Sequence, residues 1–233
     1  ESSVTKIIDK WIELGGLSGK CSISAPTNLD VMSISRGMRG KLREVGRLEA
    51  DCARLDIIDS QGHQTAIDVA IGDKLMLYKR TQGIVETTGK RRECGINGSI
   101  VTLLSIDQAG GSMVVKTDSD TVFRIPYSNL RDRDTGSLMI GYGYAMSIDK
   151  AQGITSDNHI NALLGGTAAI DAKKFYVNES RHRHRCVTML DKEAELDNLK
   201  RKLAIGVKLP ADPQEALVAY SVKNIERCAL KEN

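Results

Sequence analysis

Aromatic residues are scarce in this chain, at 4 % of its 233 residues. Its core must therefore rest on Ile, Leu, Val, Met and Ala, and extensive base stacking on aromatic platforms is disfavoured. The five cysteines, Cys21, Cys52, Cys94, Cys186 and Cys228, are odd in number and scattered, with no Cys-x-x-Cys pair. That pattern argues against a disulfide framework or a structural zinc site and fits a reducing cytoplasm. No apolar run approaches the ~18–20 residues that a membrane span needs, so no membrane partner is expected. No secretory signal precedes Trp11, and the chain opens on Glu1 rather than Met, which reads as a piece of something longer. A phosphate loop is missing too. GGLSGKCS (15–22) ends in Gly-Lys-like fashion, but Leu14 and Cys21 stand where G-x-x-x-x-G-K-[ST] needs Gly and Ser or Thr. The segment reads as a turn, and no apolar run ending in Asp-Glu offers a magnesium carboxylate.

What is present is ordinary for a globular protein: 41 % apolar, 27 % charged, net charge +3. Ile7, Ile8, Trp11 and Leu14 recur at helical spacing and Gly15–Gly16 stops the helix. KCSISAP (20–26) predicts a strand, followed at once by a helix from Thr27 or Asn28 to Gly46. From Cys52 to Arg133 the texture changes to short alternating runs with turn signals every ~8–12 residues, which predicts a small antiparallel barrel. TQGIVETTGKRRECGING (81–98) reads as an exposed basic loop between its strands. Beyond it, HINALLGG reads as a strand, IDAKKFYVNESRHR as a helix, CVTMLD as a strand and KEAELDNLKRKLA as a helix. The expected architecture is α/β with an inserted β-barrel: 1–51 and 136–205 as two parts of the α/β domain, 52–135 as the insertion, and 206–233 as a helical tail.

Two clusters carry chemistry. GYGYAMSIDKAQGITSD (141–157) places hydroxyl, lysine and amide side chains after a strand end, with a glycine that lets backbone approach a ligand. YVNESRHRHRC (176–186) holds three arginines, two histidines and a cysteine. Three chemistries compete there. His182, His184 and Cys186 could hold a metal, although i, i+2 residues diverge on a helix and share a face only on a strand. The segment could be a solvated basic helix end, favoured by the helix dipole. Or an arginine could reach a phosphate, whose oxygens suit its planar, permanently charged fork.

Taken in order, these pieces resemble a known family. YAMSIDKAQGIT (144–155) resembles motif V of the RecD-like superfamily 1 DNA helicases, Y-A-x-T-x-H-K-x-Q-G. YVNESRHR (176–183) resembles their motif VI, Y-V-A-x-[ST]-R-H-R. ISAPTNLDVMSISRGMRGKLREVGRL (23–48) is similar to the motif IV region, and IGDKLML…INGSIVTLLSID to the start of their small SH3-like barrel. The nearest flavour is the C-terminal helicase region of conjugative transfer relaxases of the TraA/TraI/TrwC type, over about residues 15 to 203.

The resemblance implies a second RecA-like domain with an inserted SH3-like barrel, the half of a single-stranded-DNA translocase that lacks the P-loop. It implies Arg181 as arginine finger on the γ-phosphate, worth ~10³-fold or more in phosphoryl transfer, and Arg39 as a second residue near the nucleotide. Lys150, Gln152 and Gly153 would couple nucleotide to strand. Ser147, Thr155, Tyr144, Thr27 and Asn28 would contact DNA, and Asn97 with Gly98 would lie beside the exiting strand. ATP and Mg2+ would be cofactors of the full-length protein, with none bound by this fragment alone, which is not expected to hydrolyse ATP. Expected partners are single-stranded DNA, an upstream RecA-like domain of the same polypeptide and the conjugation machinery; the expected location is the bacterial cytoplasm. Where the family has Thr, His and a small-apolar pair, this chain has Ser147, Asp149 and Asn178–Glu179. Asp149 puts a negative charge beside Lys150, and Glu179 is placed to form a salt bridge with Arg181. The alternatives are a degenerate helicase-like module that binds DNA or recruits secretion partners, and a stand-alone nucleic-acid-binding barrel.

Overall fold

The computed structural model describes residues 2–59, 61–151, 155–202 and 213–226. Helix α1 (Ser3–Glu13) starts at the Ser2 cap, whose hydroxyl accepts the Thr5 N–H, and buries Ile7, Ile8 and Trp11 on one stripe. The Trp11 indole donates to the Cys21 carbonyl at 3.0 Å. Residues 15–20 form a tight turn between α1 and strand β1 (Cys21–Ala25). A phosphate loop follows a strand and opens a helix, and this turn does the reverse. Helix α2 (Asn28–Glu44) begins where Thr27 Oγ1 accepts the Asp30 N–H at 3.1 Å and donates to the Asp30 carboxylate at 2.8 Å.

The alternating runs that follow all form strands: β2 (Ala53–Ile58), β3 (Gln64–Val69), β4 (Lys74–Leu77), β5 (Thr81–Val85), β6 (Arg91–Gly95), β7 (Ile100–Asp107), β8 (Ser112–Thr117), β9 (Val122–Pro126) and β10 (Ile140–Tyr142). Strands β2 and β3 make a separate ribbon. The other seven form one antiparallel sheet in the order β10-β4-β7-β8-β9-β5-β6. Its two end strands, β10 and β6, are not hydrogen-bonded to each other, so the ladder is open. The stretch 81–98, expected as a loop, is a hairpin of β5 and β6 whose turn contains Gly89 at φ +66°. Cross-strand pairing with β9 at Ile84 and Val85 draws this polar sequence into the sheet.

The chain then forms β11 (Met146–Ser147), α3 (Ile148–Ala151), β12 (Ser156–Leu163), α4 (Ala172–Glu179), β13 (His182–Leu190), α5 (Lys192–Lys202) and α6 (Pro213–Ile225). Strands β11, β1, β12 and β13 pair in that order, all parallel. Ile148, Leu163 and Ile170 form a core cluster against which Phe175 and Ile225 pack. Strand β13 starts at His182, four residues before the expected start at Cys186, because its backbone pairs with β12 from Ser156 on. The basic run His182–Arg185 is therefore strand, and helix α4 ends at the Ser180 cap.

Two compact units result: residues 1–37 with 145–233, and residues 38–144. The antiparallel unit thus interrupts the parallel α/β unit in sequence. Its divisions, inside α2 after Gly37 and after Tyr144, are wider than the insertion drawn from sequence texture at 52–135.

Candidate functional site

The parallel sheet sorts the candidate residues of the α/β unit to two opposite edges. Ala25 opposite Ser147 is the last register pair between β1 and β11, and Thr27 and Asn28 follow β1 after Pro26. The carboxyl ends of the two strands thus carry Ser147, Thr27 and Asn28, the edge at which open α/β sheets hold ligands. Thr27 is exposed, and Ser147, Asn28 and Lys150 in α3 are half-buried.

At the other edge β12 and β13 begin together. Ser156 opposite His182 is their first pair, and the Ser156 N–H donates to the Arg181 carbonyl at 3.1 Å. Exposed Thr155 precedes Ser156, so Thr155 and Arg181 are neighbours at this amino edge. Six steps along β12 from Ser156 to Ala162 separate the edges, about 20 Å at ~3.3 Å per residue. Gln152 and Gly153 lie outside the described residues.

Arg181 follows the last turn of α4. Its amide donates to the Asn178 carbonyl at 3.2 Å, its Nε to the Val177 carbonyl at 2.6 Å, and its Nη2 to Ser180 Oγ at 2.7 Å. The guanidinium is thus folded back on its own helix. The expected Glu179–Arg181 salt bridge does not form. Glu179 turns to the sheet instead, where Thr188 Oγ1 donates to its carboxylate and Asn161 Nδ2 lies 3.4 Å away.

Beneath α4 lies a buried polar network that no motif announced. Ser22, His159 and Cys186 form one cross-strand row, and Ser24, Asn161 and Thr188 the next. Asn178 reaches down from α4. Its carbonyl oxygen accepts from the Ser24 hydroxyl, its amide donates to Asn161 Oδ1, and His159 Nε2 lies 3.1 Å from it and 2.8 Å from Ser24 Oγ. His159 Nδ1 bonds Ser22 Oγ at 2.8 Å, and Ser22 Oγ bonds Ser156 Oγ at 2.6 Å. Ser24, His159, Asn161 and Asn178 are all 0 % exposed. Burial holds the His159 imidazole below its ordinary pKa, against the Asn178 hydrogen bond and Glu179 charge that favour protonation. Burial, then the Glu179 hydrogen bond and charge, push the Cys186 thiol up to about 12. The sequence signal was period-two polarity in strands of a parallel sheet, whose buried strands normally read as apolar runs.

His182, His184 and Cys186 do not form a metal set. Between the pairs Ser156–His182 and Asn158–Arg185, two residues of β13 (Arg183, His184) oppose one of β12 (Asp157), so the strand alternation slips between the histidines. Among the described residues no three His, Cys, Asp or Glu side chains group as ligands.

In the antiparallel unit, Arg39, expected near a nucleotide, is held by acidic and aromatic side chains. It is 5 % exposed and forms a bidentate pair with fully buried Asp73, Nε to Oδ1 and Nη2 to Oδ2, both at 2.8 Å. It also bonds Asp51 at 2.7 Å and the Tyr142 hydroxyl at 3.0 Å, with its guanidinium 4.7 Å from the Tyr142 ring centroid. Its charge is consumed inside the unit. Tyr144, expected on DNA, donates its hydroxyl to Asp73 at 2.6 Å. Asn97 sits exposed in the β6–β7 turn before Gly98, whose φ is +93°.

Fold and site together define a parallel α/β unit interrupted by an antiparallel β unit, with phosphate-suited groups on both edges of its parallel sheet. No family model matches the chain, and no curated protein matches it significantly. Among solved structures, the Pif1 helicase from Bacteroides in complex with ADP-AlF3 and ssDNA is similar at 17 % identity over 78 % of this chain and 44 % of its own, with TM-score 0.45. A structure of two coordinating Pif1 helicases at forked dsDNA is similar at 16 % identity over 86 % of this chain and 52 % of its own, TM-score 0.45. The Pif1 helicase from Candida albicans is similar at 13 % identity over 75 % and 46 %, TM-score 0.41. The chain spans about half the length of these structures. Among the described residues no helix is long and apolar enough to cross a membrane.

Proposed function

We propose that this chain is the second motor half of an ATP-dependent superfamily 1 DNA helicase of the RecD-like, conjugative-relaxase type. In this proposal it pairs with an upstream RecA-like domain that holds ATP and Mg2+, and its inserted β unit corresponds to the SH3-like barrel. The observation that carries it is the partition of motif residues: Arg181 at the amino edge of the sheet, and Ser147, Thr27 and Asn28 at the carboxyl edge. Thr155, expected on DNA, falls beside Arg181 and takes no part in that partition. A motor needs nucleotide and strand on separate faces, so that a change at one can move the other.

Bound ATP would supply the scissile phosphoanhydride. Arg181 would leave Val177 and Ser180 to hold the γ-phosphoryl oxygens with its planar fork. Ser147, Thr27 and Asn28 would hold backbone phosphates of single-stranded DNA by neutral hydrogen bonds, with Lys150 adding a charge. Arg39 and Tyr144, committed to Asp73, would keep the inserted unit rigid.

The test is the full-length protein with Arg181→Ala. Its DNA-stimulated turnover should fall about 10³-fold or more while ATP still binds. Unchanged turnover would remove the finger assignment. A non-hydrolysing, DNA-binding module is favoured by one observation, the folding of Arg181 back onto Val177. It would require the unaltered full-length protein to bind single-stranded DNA without any stimulated hydrolysis.

A further inference from the structure

We propose that Asn178, seated on Ser24, His159 and Asn161, is a positioning residue that sets where Arg181 points. The proposal rests on Arg181 as the phosphate-facing residue.

Three observations support it. The Asn178 side chain is fully buried and uses both ends of its amide, its oxygen toward Ser24 and His159, its nitrogen toward Asn161. Its backbone carbonyl accepts the Arg181 amide, and the Arg181 carbonyl accepts from Ser156 at the start of β12. The backbone of Arg181 is therefore pinned on one side to the residue that grips the sheet and on the other to the sheet itself. Val177, whose carbonyl parks the Arg181 Nε, is the neighbour of that same anchor.

A small apolar residue at 178 would let α4 slide or rotate on an apolar surface. An amide bonded in two directions fixes both the depth and the rotation of the last helical turn, because its donor and acceptor cannot be interchanged. Asn178 and the polar rows of the sheet form one matched set, which explains why both depart together from apolar packing. Glu179, held by Thr188, adds a second tether to β13.

The experiment is a double-mutant cycle in the full-length protein. Asn178→Ala should lower kcat about 10²-fold, the scale of an ångström-sized misplacement, with little change in KM for ATP. Combined with Arg181→Ala it should add no further loss. Ser24→Ala removes a single donor to Asn178 with little change of volume, and should shift kcat in the same direction by less if Asn178→Ala fails to fold. In the 233-residue chain, hydrogen exchange at the Arg181 Nε–H should speed up in both variants, because its acceptor is no longer held. A loss that multiplies with that of Arg181→Ala, or unaltered Nε–H exchange, overturns the positioning role. If Arg181→Ala itself leaves kcat unchanged, the phosphate assignment fails and the proposal fails with it.

Discussion

Arg39 and Arg181 are the same residue type in two physical situations. Arg39 loses its hydration, which lowers its affinity for a proton, but hydrogen bonds to Asp73 and Asp51 and the Asp73 charge overcome that and raise its pKa. A sequence cannot tell an arginine so consumed from one left for a ligand, because Asp73 is 34 residues away. Among the described residues, the Arg181 side chain bonds a backbone carbonyl and a serine, which a phosphate can displace. His159 gives a residue-scale prediction. Its folded pKa lies below its unfolded value near 6.5, so the unfolded state binds the extra proton. Its stabilising contribution is complete above that value and is lost as pH falls through the folded pKa. Urea denaturation should show stability falling between about pH 7 and pH 5, and His159→Asn should flatten that fall. A fall of equal steepness in the variant would assign it elsewhere.

At the scale of elements, helix α1, strand β1, helix α2 and the hairpin-like runs were legible because local signals agreed: helical spacing of Ile7, Ile8 and Trp11, the cap at Thr27, and two-residue alternation in β2, β3 and β7 to β9. The errors came where pairing overrode local preference. His182 and Arg183 continue a helical pattern but lie in β13 beside β12, and 81–98 is polar and Gly-rich yet pairs with β9. Gly16 looked like a simple helix stop. In the fold, any Cβ there would meet the Trp11 indole at 2.1 Å, so the glycine also admits the ring. The tail helix is fixed by a residue that sequence did not mark. Glu195 is 0 % exposed and accepts from Thr167 N at 2.8 Å, from Thr167 Oγ1 and from Ser221 on α6, while Asn224 on α6 donates to Thr167 at 2.9 Å. Glu195→Ala should leave these donors unsatisfied and loosen α6. Amide exchange at Leu217 and Tyr220 should then speed up, with β1 and β12 still protected. Unchanged protection in α6 would show that Leu217 and Tyr220 packing alone holds it.

For the whole molecule, the proposed function is a division of labour with an upstream domain. No segment supplies a phosphate loop, so the 233-residue chain with ATP and single-stranded DNA should show no hydrolysis. Measurable turnover that disappears with Lys20→Ala would mean the turn at 15–20 does bind phosphate after all. The alternation of α/β and β texture, the order of the motif-like clusters and the identity of Arg181 were set by the sequence, because each depends on neighbours a few residues apart. The sorting of Thr155 with Arg181 and of Ser147 with Thr27, the commitment of Arg39 to Asp73 and the union of Ser24, His159, Asn161 and Asn178 were decided only by tertiary structure. Those contacts join residues 17 to more than 150 positions apart, and parallel pairing across long connections carries no local signal.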